Sequence, residues 1–179
     1  MFNYTADISL LSHKIIKDNI NNFNVAIDAT LGNGNDSDFL SEHFKKVYSF
    51  EIQHEAILSY KEKSIPNVIL IEESHEFIKS HVEDRVDCIM YNLGFLPGGD
   101  KSITTKWDST LTSIEQGLEL LNPGGIISLA IYSGHPEGKK EKEELLKYVS
   151  SLQKNIYGVM IHEMLNRVNA PSLIIIEKK

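Results

Sequence analysis

The sequence predicts an α/β fold: a mostly parallel, seven-stranded, Rossmann-like sheet with helices on both faces and an antiparallel edge hairpin. Three observations lead there. Apolar, β-branched runs alternate with helical periodicities through residue 152, and that alternation calls for parallel strands joined by crossover helices. The run at 86–91 is apolar almost throughout, as a strand covered on both faces requires. The last two apolar runs, 156–163 and 172–177, have no helix between them. Their connection is too short for a crossover, so they are expected as antiparallel neighbours at one edge.

The elements follow in order. Ile8, Leu11, Ile15 and Ile20 recur near helical spacing, which predicts a helix over 6–22 that covers one edge or face of the sheet. Strand one is 25–29, and a glycine-bearing turn leads from it into a helix over 36–43. Strand two is 47–52. A helix over 53–61 is broken by Ser64-Ile65-Pro66. Strand three is 68–71, a short helix covers 74–81, and strand four is 86–91. Residues 92–106 form a long loop. The helix over 108–121 places Leu111, Ile114, Leu118 and Leu121 on one face. Asn122-Pro-Gly-Gly125 reads as a turn before strand five, 126–132. A second polar loop, 133–138, precedes a helix over 139–152.

The chain of 179 residues is read as one domain, 1–179, long enough to bury a core without metal or disulfide. Cys88 is the one cysteine. No apolar run has the length of a membrane span, and the first residues lack the pattern of a secretory signal, so a cytoplasmic protein without a membrane partner is expected. The formal net charge is −7 and lies wholly in residues 1–99. An acidic total disfavours non-specific nucleic-acid binding. It leaves room for a local basic patch among Lys101, Lys106, Lys139, Lys140 and Lys142. The seven histidines show no ligand spacing, so no metal site is expected.

Val25-Ala-Ile-Asp-Ala-Thr-Leu-Gly-Asn-Gly-Asn-Asp36 carries the strongest signal. A strand, a glycine turn and a helix N-terminus form a nucleotide-type cofactor site. Gly32 and Gly34 free the backbone for positive φ or close approach, and Asp36 is placed to cap the next helix. Ser37 stands where a dinucleotide fingerprint needs its third glycine, which disfavours a nicotinamide oxidoreductase. Asp28 precedes the turn, an acid beside a cofactor's charged end. Glu51 ends strand two, where a carboxylate accepts ribose hydroxyls. Glu73-Ser-His75 follows strand three at the expected adenine edge. Leu121-Asn-Pro-Gly-Gly-Ile-Ile-Ser128 leads into strand five.

With these residues the chain resembles the class I S-adenosyl-L-methionine-dependent methyltransferases. Thr30 replaces the first glycine of their usual acid-x-Gly-x-Gly-x-Gly pattern. After strand four stands Asn92-Leu-Gly-Phe95, where amino-nitrogen methyltransferases carry Asn/Asp-Pro-Pro-Tyr/Phe. The Asn92 carbonyl can accept from an amine and aim its lone pair, and Phe95 can stack on a planar base. The run Asn92–Ser102, with Tyr132-Ser-Gly-His-Pro-Glu-Gly138, Glu51-Ile-Gln53 and Ser74-His-Glu76, narrows the resemblance to the YtqB-like, or MnmM, rRNA-methylase family over roughly residues 8–178.

That resemblance implies S-adenosyl-L-methionine as cofactor and a tRNA anticodon stem-loop as partner. The implied reaction methylates the amine of 5-aminomethyl-(2-thio)uridine at the wobble position. A homodimer is also implied. Cofactor-binding residues are expected to be Asp28, Thr30, Gly32, Asn33, Gly34, Asp36, Glu51, Gln53, Ser74, His75 and Asn92. Catalytic residues are expected to be Asn92, Phe95, Tyr132 and His135. Where the family usually has Asp-Ile-Gln and Tyr, this chain has Glu51-Ile-Gln53 and Phe95.

A primary alkyl ammonium, with a pKa of about 10.4 like that of Lys, must lose a proton before it attacks. The site either binds the neutral form or uses a base, with His75 and His135 as candidates. His135 is as readily a pin between loops. The residues alone leave open rRNA, a small molecule or a protein amine as acceptor, and a cofactor- or RNA-binding module without catalysis.

Overall fold

The structure, a computed structural model, describes residues 4, 5, 7–96, 98 and 103–179. Seven strands form one sheet: β1 (Val25–Asp28), β2 (Lys46–Phe50), β3 (Val68–Ile71), β4 (Val86–Leu93), β5 (Leu121–Ile131), β6 (Tyr157–His162) and β7 (Ser172–Lys178). Their order is β3-β2-β1-β4-β5-β7-β6. β1 to β5 run parallel, and β7 is antiparallel to both β5 and β6. The sheet is therefore mostly parallel with an antiparallel edge pair, as the sequence predicts. β7 inserts between β5 and β6, so β6 is one edge of the sheet and β3 the other.

Side chains alternate across the sheet and sort the helices onto its two faces. Ala26, Cys88 and Met90 point to one face, where α1 (Ile8–Asn19) buries Ile8 and Ile16 and α2 (Asn35–His43) buries Leu40. Ile57 and Tyr60 of α3 (His54–Lys61) pack on this face beside Val68. Ile27, Ile89 and Tyr91 point to the other. There they meet Ile78 of the short α4 (Ile78–His81), Ile114 and Leu118 of α5 (Trp107–Leu120), and Leu145 and Val149 of α6 (Pro136–Ser150).

Three expectations shift. Helix α1 starts at Ile8 because Asp7 caps it, accepting from the Ser9 and Leu10 amides at 2.8 and 3.1 Å; Ala6 lies outside the described residues. Asn122–Gly125 is not a turn before strand five. It is a bulge within β5, where the register on β4 slips between Val86 and Cys88 and Gly124 takes φ +78°. Asn122 reaches back to the Asp87 carboxylate at 2.7 Å to hold it there. Helix α6 starts at Pro136, three residues earlier than its apolar stripe suggests. Proline fits the first helical turn, and His135 caps it by accepting the Gly138 amide at 3.2 Å.

Helix α5 buries Thr110, Ser113 and Gly117 beside Ile114 and Leu118, while Leu111 is only half-buried. The polar side chains are matched: Ser113 pairs with the Tyr91 hydroxyl at 2.8 Å, and Thr110 donates to Glu141 at 2.7 Å. A Cβ on Gly117 would approach Ile89 Cδ1 to 2.7 Å, so the helix lies close on β4 at that point.

Ile16 is fully buried and anchors α1 to the sheet. Ile16→Ala is expected to cost about 2–5 kcal/mol, read as a lowered urea midpoint with an unchanged slope.

Candidate active site

A cleft of about 730 Å³ opens at the C-terminal ends of β1, β2, β4 and β5, where open α/β sheets bind ligands. Its volume suits a single small molecule. Thr30, Gly32, Asn33, Asp36, Glu51, Gln53, Ser74, His75, Asn92, Phe95 and Tyr132 all line it. Asp28, Gly34 and His135 do not stand among the lining residues.

The turn after β1 is held from two sides. Gly32 takes φ +51° and Gly34 φ +82°, conformations that side chains rarely adopt. The Gly34 amide donates to the Leu31 carbonyl at 2.7 Å, and a Cβ on Gly34 would run into the Tyr60 ring. Gly34 therefore shapes the turn from behind. Glu51 accepts the Gly32 amide at 2.9 Å through Oε2, and the Ile52 and Gln53 amides, each at 2.9 Å, through Oε1.

Thr30 explains its own presence in place of glycine. Its hydroxyl accepts the Asn92 amide at 2.7 Å and so ties the turn to the end of β4. Asn92 Nδ2 lies 3.4 Å from Ser9 Oγ on α1.

Asp28 is fully buried beneath the turn and accepts from the Thr30 amide at 3.0 Å and the Ser37 hydroxyl at 2.6 Å. Burial, reinforced by the charges of Asp36 and Glu51, pushes its carboxyl up to about 7. Ser37 also pairs with Ser49 at 2.7 Å, so this position serves the strand rather than a pyrophosphate.

Asp36, in the first turn of α2, receives His13 Nε2 at 2.6 Å, and the His13 ring stacks on Phe39 with centroids 4.0 Å apart. The carboxylate's other oxygen has no partner among the described residues.

His75 Nδ1 donates to the Ala29 carbonyl at 3.1 Å. Burial holds this imidazole neutral, its pKa lowered to about 4. The proton on Nδ1 makes Nε2 an acceptor, and that atom is buried without a partner among the described residues.

His135 has the opposite tautomer. Nδ1 takes the Gly138 amide, which puts the proton on Nε2, and no ring lone pair is left to receive a proton from a substrate. Its ring lies 5.8 Å from that of Phe95. Of the two roles the sequence leaves open, this arrangement supplies the structural one: His135 caps α6 and stands beside the Phe95 ring. Burial pushes the Tyr132 phenol up from its ordinary value, so it remains protonated near neutrality. Phe95 and Tyr132 are each somewhat over one-third exposed.

Residues 47–178 match the family described as Putative rRNA methylase. The chain belongs to this family. A tRNA (mnm(5)s(2)U34)-methyltransferase, chloroplastic, of Arabidopsis thaliana is 34% identical over 189 residues, covering 94% of this chain and 68% of that protein. A methyltransferase of Streptococcus mutans, solved in complex with SAH, superposes with a TM-score of 0.90 at 37% identity over the full length of both chains. A protein of Clostridium thermocellum described as a putative rRNA-methylase reaches a TM-score of 0.91 at 34% identity, over 98% of this chain and 100% of that one. The fold is that of the class I methyltransferases.

In this family member α1 is more than a cover. It brings Ser9 to Asn92 and His13 to Asp36, two residues that line the cleft, and Ser12 bonds Ser128 of β5 at 2.6 Å. Sequence reasoning missed these residues, although one signal was present: Ser9, Ser12 and His13 break the stripe of Ile8, Ile16 and Ile20. Among the described residues no cluster of His, Cys, Asp and Glu is placed to hold a metal, and no helix is long and apolar enough to cross a membrane.

The raised pKa of Asp28 sets a sign. Between the ordinary 3.8 and about 7, the folded chain keeps a proton that the unfolded chain releases, so this carboxyl makes stability fall as pH rises through that window. Asp28→Asn is expected to flatten the fall between about pH 5 and about pH 7.5 in urea titrations; parallel curves for both proteins contradict it.

Proposed function

We propose that the chain transfers a methyl group from S-adenosyl-L-methionine to the amine of 5-aminomethyl-(2-thio)uridine at the wobble position of tRNA. The chain is an S-adenosyl-L-methionine-dependent methyltransferase. The observation that carries the finer reading is the Asn92–Phe95 loop, held beside the cofactor turn by the Thr30–Asn92 hydrogen bond. The tRNA methyltransferase relative supports the acceptor, and the SAH-bound relative supports the cofactor.

The cleft residues fit that cofactor. His75 offers a bare acceptor nitrogen at the wall assigned to adenine, as an exocyclic amine needs. A Cβ on Gly32 would come within 3.3 Å of Leu96, so glycine keeps the cradle open. Ser74 lines the same wall as His75. Two carboxylates that line the cleft, Asp36 and Glu51, give it negative charge suited to a sulfonium. Glu51 uses three of the roughly four lone-pair sites of a carboxylate on backbone amides, leaving one for a ribose hydroxyl. Gln53 and Asn33 line the cleft within reach of the remaining polar groups. The free oxygen of Asp36 is the acceptor for the ammonium of the methionine end. The cofactor, when bound, supplies an electrophilic methyl.

The protein's own work is positioning and exclusion of water. The Asn92 side-chain carbonyl accepts from the substrate amine and points its lone pair into the cleft, while Ser9 orients the side-chain amide. Phe95 stacks on the base, with His135 behind it. Tyr132, as a phenol, donates or accepts at the rim. Neither candidate histidine is arranged as an effective base: burial lowers the His75 pKa to about 4, too weak to draw a proton from an alkyl ammonium, and the His135 Nδ1 lone pair is taken by the Gly138 amide. The site therefore binds the neutral amine, whose population rises with pH.

Lys106, Lys139 and Lys140 are exposed near the cleft mouth and are the proposed contacts to anticodon-stem phosphates. Lys140 lies 5.5 Å over the Trp107 ring. Lys142 is engaged with Glu163 at 2.6 Å, and Lys101 lies outside the described residues. A second copy of the chain is the other proposed partner: the edge strand β6 exposes Val159, Met160 and Ile161, an edge that a neighbouring strand or sheet face would cover. Cytoplasm is the proposed compartment.

The deciding experiment incubates purified protein with labelled S-adenosyl-L-methionine and tRNA lacking the terminal methyl, followed by nucleoside mass analysis. Label in methylaminomethyl uridine is expected; no transfer with cofactor binding intact overturns the reading. Asn92→Ala is expected to lower kcat at least about a hundredfold while S-adenosylhomocysteine affinity, by calorimetry, stays within about threefold. His13→Ala is expected to do the reverse, weakening that affinity about tenfold, the size of one charge-assisted hydrogen bond.

A further inference from the structure

Glu141 is a charged residue on the apolar stripe of α6, in line with Leu145 and Val149. It is 1% exposed and does not line the cleft. Its two oxygens are fully directed: Oε1 accepts the Thr110 hydroxyl at 2.7 Å and Oε2 the Thr105 hydroxyl at 2.8 Å. Thr105 then holds both backbone groups of Gly94. Its hydroxyl accepts the Gly94 amide at 2.9 Å, and its own amide donates to the Gly94 carbonyl at 3.0 Å. Gly94 sits between Asn92 and Phe95 with φ +144°, a conformation few side-chain-bearing residues adopt. Beside it, Phe95 and Thr104 form an antiparallel bridge.

We propose that Glu141 is a positioning residue for the substrate loop, acting through Thr105 on the peptide at Gly94. The direction of the chain follows from its chemistry. An ionised carboxylate only accepts, so the single Thr105 hydroxyl proton must point at Glu141, and the oxygen lone pairs are left for the Gly94 amide. This fixes the angle at which the backbone leaves Asn92 and presents Phe95. Burial pushes the Glu141 carboxyl up, and the two threonine hydroxyls oppose that shift. A residue that served stability alone would be replaceable by a packed apolar side chain. One that aims the loop would not.

The inference rests on reading Asn92–Phe95 as the substrate loop, so its test has two readouts on the full chain. The first needs no substrate: amide hydrogen exchange at Gly94 in the protein bound to S-adenosylhomocysteine. Thr105→Val and Glu141→Gln are expected to speed Gly94 exchange at least about tenfold, with the amides of Thr30 and Leu31 unchanged. The second is methyl transfer. Both variants are expected to lower kcat about tenfold or more with cofactor affinity within about twofold, Thr105→Ser to restore it, and the double variant to be no worse than either single one. Unchanged Gly94 exchange in folded variants overturns the proposal, whatever the activity. So does a parallel loss of cofactor affinity and kcat. If wild-type protein fails to methylate the tRNA while Gly94 exchange responds as expected, the assigned reaction falls and the positioning role stands.

Discussion

The carboxylate of Glu51 is the constraint on which the site depends. Three backbone amides converge on it, one from the turn after β1 and two from the chain leaving β2. Charge-assisted bonds of this kind are short and directional. They lock Gly32 against the end of the neighbouring strand. From that turn the Thr30 hydroxyl reaches the Asn92 amide, so the ends of β2, β1 and β4 form one rigid rim. A donor seated on the turn and an acceptor presented by the Asn92 loop would then meet in a geometry set by backbone, before any side chain moves.

The flanks complete that rim from outside the sheet. Helix α1 closes one side with Ser9 and His13, and α6 supports the other through Glu141 and His135. Both helices carry polar residues on faces that packing alone would make apolar. Each of those residues ends on a cleft element: His13 on Asp36, Ser9 on Asn92, Glu141 on Thr105 and His135 behind Phe95. Hydrogen bonds offset the cost of burial for His13, Ser9 and Glu141, while His135 is bonded through Nδ1 and keeps a buried Nε2 without a partner among the described residues. The return is a site whose groups are held in place instead of being free in solution.

The sheet and most of the cleft were legible in the sequence because they follow local rules. Alternating apolar runs gave strands, and the missing crossover before 172 gave the antiparallel edge. Glycine spacing in Thr30–Gly34 and acids at strand ends marked the cofactor side. What escaped has a common cause: it depends on contacts between distant residues. Nothing local at His13 points to Asp36, 23 positions away, or at Glu141 to Thr105, 36 positions away. The Pro123-Gly124-Gly125 bulge looked like a turn because glycine and proline serve both, and only the pairing with β4 decides between them. His135 read equally as a pin or a base because both need the same residue type, and the start of α6 at Pro136, with the Gly138 amide on Nδ1, favours the structural role.

A crystal structure of this chain with bound S-adenosylhomocysteine tests the central claim most directly. The account predicts adenine against Ser74 and His75, a ribose hydroxyl on Glu51, the amino group on Asp36, and the sulfur facing Asn92 across the cleft. The reverse orientation, or a sulfur on the far side of the glycine turn from Asn92, would contradict it.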